Sequence, residues 1–211
     1  DVNSTSDGHF AQRALRSLNI SADIVPEDIA RIPATGPTIF VANHPLGGPD
    51  GLLLLELIRR VRTDVKLLAN SWLNAMPELG ADIIPVDVFD AANPMNFGAV
   101  RAAMRTLIAG GCLATFPAGE VSRFRYLDGE ISDGPWAASI AMLARRTGAC
   151  VIPIYFDATN SWIFQTIGRL HPMLRTALLP RELLRKRNTR IRIRIGGKVT
   201  PQRLARIADD R

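Results

Sequence analysis

The chain has 211 residues, 47% of them apolar, which suits one sizeable domain with a real core, leaves little room for two full domains and excludes a disordered chain. A formal net charge of +6 favours an acidic partner: an anionic membrane surface, an acidic protein or nucleic acid. Aromatic residues make up only 6% and no zinc-finger spacing or RNA-binding signature occurs, which argues against nucleic acid.

Residues 1–9 read as a flexible leader. The sequence opens at Asp1 and not at Met, with no signal-peptide pattern, so an anchor ahead of it is compatible with the sequence. From Phe10 to Ile20, apolar Phe10, Ala14, Leu15 and Leu18 alternate with Arg13 and Arg16 at helical spacing. That predicts a short amphipathic helix, packed on the core or laid on a membrane surface. Ile32-Pro33 to Gly36-Pro37 reads as a turn and sets a boundary between residues 1–36 and the main domain, residues 37–201. Thr38 to Ala42 predicts a strand, followed by a His-containing loop and a helix to Arg62. Its apolar run, Leu52 to Ile58, is broken by Glu56 and falls short of the ~18 residues that a membrane span needs.

Val65 to Ala69 and Ile83 to Val86 predict strands, joined by an apolar connector, Trp72 to Pro77. Phe97 to Ala109 predicts a helix stopped by Gly110-Gly111. Cys112 to Phe116 and Cys150 to Phe156 predict buried strands, with a helix from Pro135 to Arg146 between them. Both cysteines sit in apolar runs, as buried free thiols of a reducing compartment would. Arg190 to Ile195 alternates Arg and Ile, the period of a strand with one apolar and one basic face. Residues 202–211 read as a tail. Strands alternating with helices predict an α/β fold: a single layered domain with a largely parallel or mixed β-sheet flanked by helices.

Two segments carry chemistry. Asn43-His44-Pro45-Leu46-Gly47-Gly48-Pro49-Asp50-Gly51 leaves the first predicted strand. The glycines allow a tight turn and Asp50 stands at the mouth of a helix. A His beside a carboxylate suits general-base catalysis, because the carboxylate fixes the imidazole tautomer and stabilises the imidazolium. A structural histidine held in a loop is the alternative. The chain has 3 His; neither His9 nor His171 has a comparable setting, and His171 reads as a surface or loop residue. The second segment is Phe116-Pro117-Ala118-Gly119-Glu120-Val121-Ser122-Arg123. It too follows a strand, and sites in open α/β sheets gather outside the carboxyl ends of strands. Arg123 and Arg125 suit an anionic headgroup, and Glu120 suits a cation or hydroxyl; a simple Glu120–Arg123 turn pair is the alternative. No Gly-x-Ser-x-Gly elbow and no metal-ligand cluster is found.

With Val151-Ile152-Pro153-Ile154, these segments resemble, in order and spacing, the motifs of the glycerolipid (lysophospholipid) acyltransferase family. The resemblance covers Pro37 to Pro201. The Pro-Leu-Gly-Gly wording, the Phe-Pro-Ala-Gly-Glu wording and Asn160-Ser161 are similar to the branch that includes bacterial O-acyltransferases of aminolipids such as ornithine lipid. There are departures. Five residues separate His44 from Asp50 where the usual motif has four, and Ala118 occupies the usual place of the second motif's acid, so the family role does not carry over to Glu120. The segment where phosphate-recognising members carry an Arg reads Pro85-Val86-Asp87, which weighs against a phosphatidic-acid-type acceptor.

The resemblance implies an O-acyltransferase with His44 as general base and Asp50 as its partner. Asn43, Gly47, Gly48, Phe116, Pro117, Gly119, Glu120, Ser122 and Arg123 are the expected substrate-binding residues. Backbone N–H groups near Gly47-Gly48 are the expected oxyanion donors. No metal or cofactor is expected beyond acyl carrier protein or acyl-CoA as thioester co-substrate. The expected partners are acyl carrier protein, for which Arg181 to Lys198 offers a basic surface, a lyso-lipid acceptor and a membrane surface. The expected location is peripheral, on the cytoplasmic face of the bacterial inner membrane. Trp72, Leu73 and Met76, and the Trp162-Ile163-Phe164 run, are expected to line an acyl groove, dip into the bilayer interface or pack in the core. A 1-acylglycerol-3-phosphate acyltransferase and a non-catalytic lipid- or carrier-protein-binding module are the competing functions.

Overall fold

The computed structural model of the chain describes residues 8–87, 93–125, 129–167 and 172–209. Its strands are β1 (Ser21–Asp23), β2 (Thr38–Ala42), β3 (Val65–Asn70), β4 (Ile83–Val86), β5 (Cys112–Thr115), β6 (Arg123–Arg125), β7 (Glu130–Ser132), β8 (Cys150–Asp157) and β9 (Arg190–Ile195). The helices are α1 (Phe10–Leu18), α2 (Pro26–Ile29), α3 (Gly48–Arg59), α4 (Pro77–Gly80), α5 (Pro94–Ile108), α6 (Ser139–Thr147), α7 (Trp162–Ile167), α8 (Pro172–Arg185) and α9 (Pro201–Asp209), with a 3₁₀ turn at Ser71–Ala75.

Seven strands form one sheet in the order β1-β9-β8-β2-β5-β3-β4, and β6 and β7 form a separate antiparallel hairpin. The five strands from β8 to β4 are parallel; β9 runs antiparallel to β8, and β1 runs parallel to β9. β2 is buried at every position, as a central parallel strand covered on both faces must be. Phe40, Ala42, Ile152 and Phe156 pack with Leu54, Leu57 and Ile58 of α3 on one face. Ile39, Val41, Leu113 and Val151 pack with Ala103 and Leu107 of α5 and Leu143 of α6 on the other. On β9, Ile191, Ile193 and Ile195 point inward while Arg190, Arg192 and Arg194 stay exposed, which is the basic-and-apolar strand expected.

One buried cation ties the amino ends of the strands together. Arg62 forms a bidentate pair with Asp64 at 2.9 and 2.6 Å and donates to the Gly36 and Gly110 carbonyls at 2.5 and 2.8 Å. It thereby ties together the approaches to β2, β3 and β5, at the end of the sheet opposite the loops that follow these strands.

Three features differ from the sequence reading. Within residues 1–36, β1 adds an unforeseen edge strand to the sheet, while α1 packs by its buried Ala11 and Leu15 against the core, one of the two placements expected. Residues 1–7 and His171 lie outside the described residues. The helix expected from Pro135 starts only at Ser139, because Asp133 to Ala137 is recruited to the site. The tail is helical up to residue 209, as α9. Among the described residues, no helix is long and apolar enough to cross a membrane.

Candidate active site

The loops leaving the carboxyl ends of β2 and β5, paired neighbours in the sheet, bring the two sequence segments together. Gly47 turns the β2 loop into α3 at φ +83° and ψ −119°, a conformation essentially reserved for glycine. That turn folds Asp50, in the first turn of α3, back toward the strand end. Its Oδ2 lies 3.1 Å from His44 Nδ1 and accepts from the backbone N–H groups of Leu46 (2.7 Å) and Gly47 (3.1 Å). Asp50 is fully buried, and Oδ1 has no hydrogen-bond partner among the described residues. Burial pushes the Asp50 carboxyl above the ordinary carboxylate range, against the opposing pull of the His44 ring and the two N–H groups. With Oδ2 as acceptor, the proton of neutral His44 sits on Nδ1, which leaves the Nε2 lone pair for chemistry.

Phe116 covers the imidazole, with ring centroids 3.9 Å apart and planes 23° from parallel. Ser122 donates its backbone N–H to the His44 carbonyl at 2.8 Å. Asp133, 89 residues from His44, completes the brace. Its Oδ1 accepts from the His44 backbone N–H (3.2 Å) and from Ser122 Oγ (2.5 Å), and its Oδ2 from Trp136 Nε1 (3.0 Å). Ala137 N–H bonds the Pro117 carbonyl at 3.0 Å, which pins the same segment to the second motif. No local spacing signals Asp133. Its only sequence cue is a polar residue before Gly134-Pro135.

The remaining expected residues divide by what they touch. Asn43 donates to and accepts from the backbone of Phe156 at 3.0 and 2.7 Å, so its amide joins the loop to β8. Ser122 is committed to Asp133 in the same way. Gly119 adopts φ +68° and closes a turn onto the Phe116 carbonyl. Glu120 and Arg123 approach to 3.6 Å as a turn pair, with more than half of the Arg123 side chain exposed. The Leu46 and Gly47 N–H groups serve the carboxylate, and Gly48 lies exposed at the start of α3. An open cleft of about 470 Å³ adjoins Asn43 and is lined by Trp136, Tyr155, Arg31 and Arg194. Among the described residues, no group of acidic, His and Cys side chains is placed to hold a metal ion.

A family model described as Acyltransferase matches residues 8–209. The chain belongs to the acyltransferase family. It is 26% identical over 162 residues to the lyso-glycine lipid O-acyltransferase of Phocaeicola vulgatus, covering 76% of this chain and 56% of that protein. It is 27% identical over 162 residues to the lyso-glycine lipid O-acyltransferase of Bacteroides thetaiotaomicron, covering 76% of this chain and 57% of that protein. The chain thus matches little more than half the length of these relatives. The crystal structure of the 1-acyl-sn-glycerophosphate acyltransferase PlsC from Thermotoga maritima shares the fold, at a TM-score of 0.56 and 19% identity over 95% of this chain and 73% of that one.

Proposed function

We propose that this acyltransferase moves a fatty acyl group from a thioester, carried by acyl carrier protein or coenzyme A, to the hydroxyl of a lyso-aminolipid. The observation that carries this reading is the His44–Asp50 pair at the carboxyl edge of the sheet, in a chain whose relatives are named for O-acylation of a lyso-glycine lipid. His44 Nε2 takes the proton of the acceptor hydroxyl as its oxygen attacks the thioester carbonyl. The buried Asp50 carboxylate balances the imidazolium, and collapse of the tetrahedral intermediate expels the thiolate, which recovers the proton from His44. Such base assistance is worth ~10²–10⁴ in rate. Because Leu46 and Gly47 N–H are spent on Asp50, the exposed Gly48 N–H at the mouth of α3 is the donor this turn offers to the oxyanion.

The acceptor is an amino-acid lipid, of the glycine or ornithine kind. Arg194, which carries no ion pair among the described residues, lines the cleft beside Asn43 and suits the acceptor's carboxylate better than Arg123, which Glu120 already engages. The enzyme works at a membrane surface, peripherally and on the cytoplasmic side. Turnover measured on lyso-glycine lipid, lyso-ornithine lipid and lysophosphatidic acid, each with acyl carrier protein and coenzyme A thioesters, tests this. Preference for lysophosphatidic acid would replace the aminolipid assignment with the glycerophospholipid one.

A further inference from the structure

The three most exposed aromatic side chains among the described residues share one edge of the sheet. Trp72, Phe97 and Trp162 are each at least 61% exposed, and Ile163 is exposed beside Trp162. All four sit on connections that leave the carboxyl ends of parallel strands. Trp72 lies in the 3₁₀ turn after β3, whose last residue, Asn70, accepts from the Trp72 N–H at 3.0 Å. Phe97 is in the first turns of α5, and neighbouring Asn96 is bonded to both the N–H and the carbonyl of Asp87, just past the end of β4. Trp162 opens α7 after β8, and its ring meets Phe124 of the hairpin that follows the second motif, 6.1 Å between centroids. The structure thereby separates what the sequence left open. Phe164 is core and Leu73 and Met76 pack against the core, while Trp72 and Trp162 project outward.

These side chains flank the site. The order β8-β2-β5-β3-β4 puts Trp162 on one side of the His44 and Phe116 loops and Trp72 and Phe97 on the other, over four strand spacings or ~19 Å. The aromatic anchors of a protein interface cluster near its centre. Separate aromatic anchors on both sides of a site opening instead suit a plane, and tryptophan is the side chain that settles at the bilayer interface. The net charge of +6 and the exposed Arg123 on the hairpin complement an anionic leaflet.

We propose that the carboxyl edge of the sheet is the membrane-docking surface, with Trp72, Phe97, Trp162 and Ile163 inserted at the headgroup level of an anionic bilayer so that the His44 site opens onto the lipid. This deepens, and for its purpose rests on, the lipid acceptor inferred above. The occupant is a bilayer, and the orientation it dictates is testable without turnover. Ile108, equally exposed, lies at the other end of α5, ~16 Å along the helix from Phe97, and must stay in water.

The test uses Trp72→Cys, Phe97→Cys, Trp162→Cys and Ile108→Cys, one at a time in the full chain, each labelled with an environment-sensitive fluorophore. The native Cys112 and Cys150 are buried and stay silent. With vesicles of phosphatidylglycerol and phosphatidylcholine, the labels at 72, 97 and 162 should brighten and be quenched by a bilayer-confined quencher, and the label at 108 should not change. An equal response at 108 overturns the proposal. So do labels at the other three positions that keep their buffer values on sedimented vesicles, or a chain that does not sediment with the vesicles at low salt. Should a labelled variant fail to fold, quenching of the native tryptophans by brominated lipid in the unsubstituted chain decides instead, and its absence is equally fatal. W72S/F97S/W162S should partition onto vesicles at least about tenfold more weakly and still acylate a lyso-lipid offered in detergent micelles. If the wild-type chain fails in micelles too, acyl transfer is wrong, and the labels still report on docking independently.

Discussion

Asp50→Asn separates what the buried carboxylate does for the fold from what it does for chemistry. Asp50 Oδ2 accepts from three donors, while Oδ1 is buried with none among the described residues. In the variant, the Leu46 and Gly47 N–H groups hold the amide oxygen at the Oδ2 position, so the NH₂ group takes the place of the unpartnered oxygen. The shape and the His44 contact survive; the charge does not. Burial raises the native carboxyl's pKa, so the folded state holds its proton more tightly than the unfolded chain, whose Asp titrates at about 3.9. Below that pH both states are protonated and burial costs nothing. As pH rises through the native pKa the cost grows, by about 1.4 kcal/mol for each unit separating the two values. Wild type should therefore lose stability relative to Asp50→Asn from about pH 4 upward and then level off. Turnover of the variant should fall ~10²–10⁴-fold, because nothing balances the imidazolium. Denaturant titrations of both proteins from pH 4 to 8, beside initial rates at one pH, measure this. Parallel stability profiles, or turnover within about tenfold of wild type, would refute the reasoning.

Three further outcomes rest on other parts of the structure. Arg62→Met leaves the Gly110 carbonyl without its donor, strips the Gly36 carbonyl of one of two (Thr38 Oγ1 remains) and unpairs Asp64, and should cost about 1–3 kcal/mol in denaturant unfolding. Gly47→Ala forces a Cβ into a backbone conformation only glycine takes readily. It should cost about 1–3 kcal/mol by the same measure and depress turnover by displacing Asp50. Burial pushes the Cys112 thiol up to about 12, so it should resist alkylation at pH 8 in the native chain and react fully once the chain is unfolded, as thiol counting by mass would show.

The strands were legible wherever burial on both faces left an unbroken apolar run, as at Thr38–Ala42, or wherever alternation marked one buried face, as at Arg190–Ile195. β1 was not, because Ser21–Asp23 has neither signal and is a strand only by pairing with β9. The β6–β7 hairpin was not read as strands at all; its Arg123 and Arg125 were read only as cations for an anionic headgroup, with a Glu120–Arg123 turn pair as the alternative. Pro135 misplaced the start of α6 because a tertiary need, the Asp133 brace on His44, outweighed its preference for the first turn of a helix. Within the site, the His44–Asp50 pair was legible because a local turn makes it. The roles of Asn43 and Ser122 were not, since their partners lie 113 and 11 residues away and decide that both side chains are spent on internal bonds.

The most direct test of the account is transfer itself. The chain is incubated with an acyl thioester and lyso-glycine lipid, and the diacylated product is followed by mass spectrometry for wild type and His44→Ala. Product from wild type and a loss of ~10²–10⁴-fold in a folded His44→Ala are the predicted result. No product from wild type, or a His44→Ala variant that retains more than about a tenth of its turnover, would contradict it.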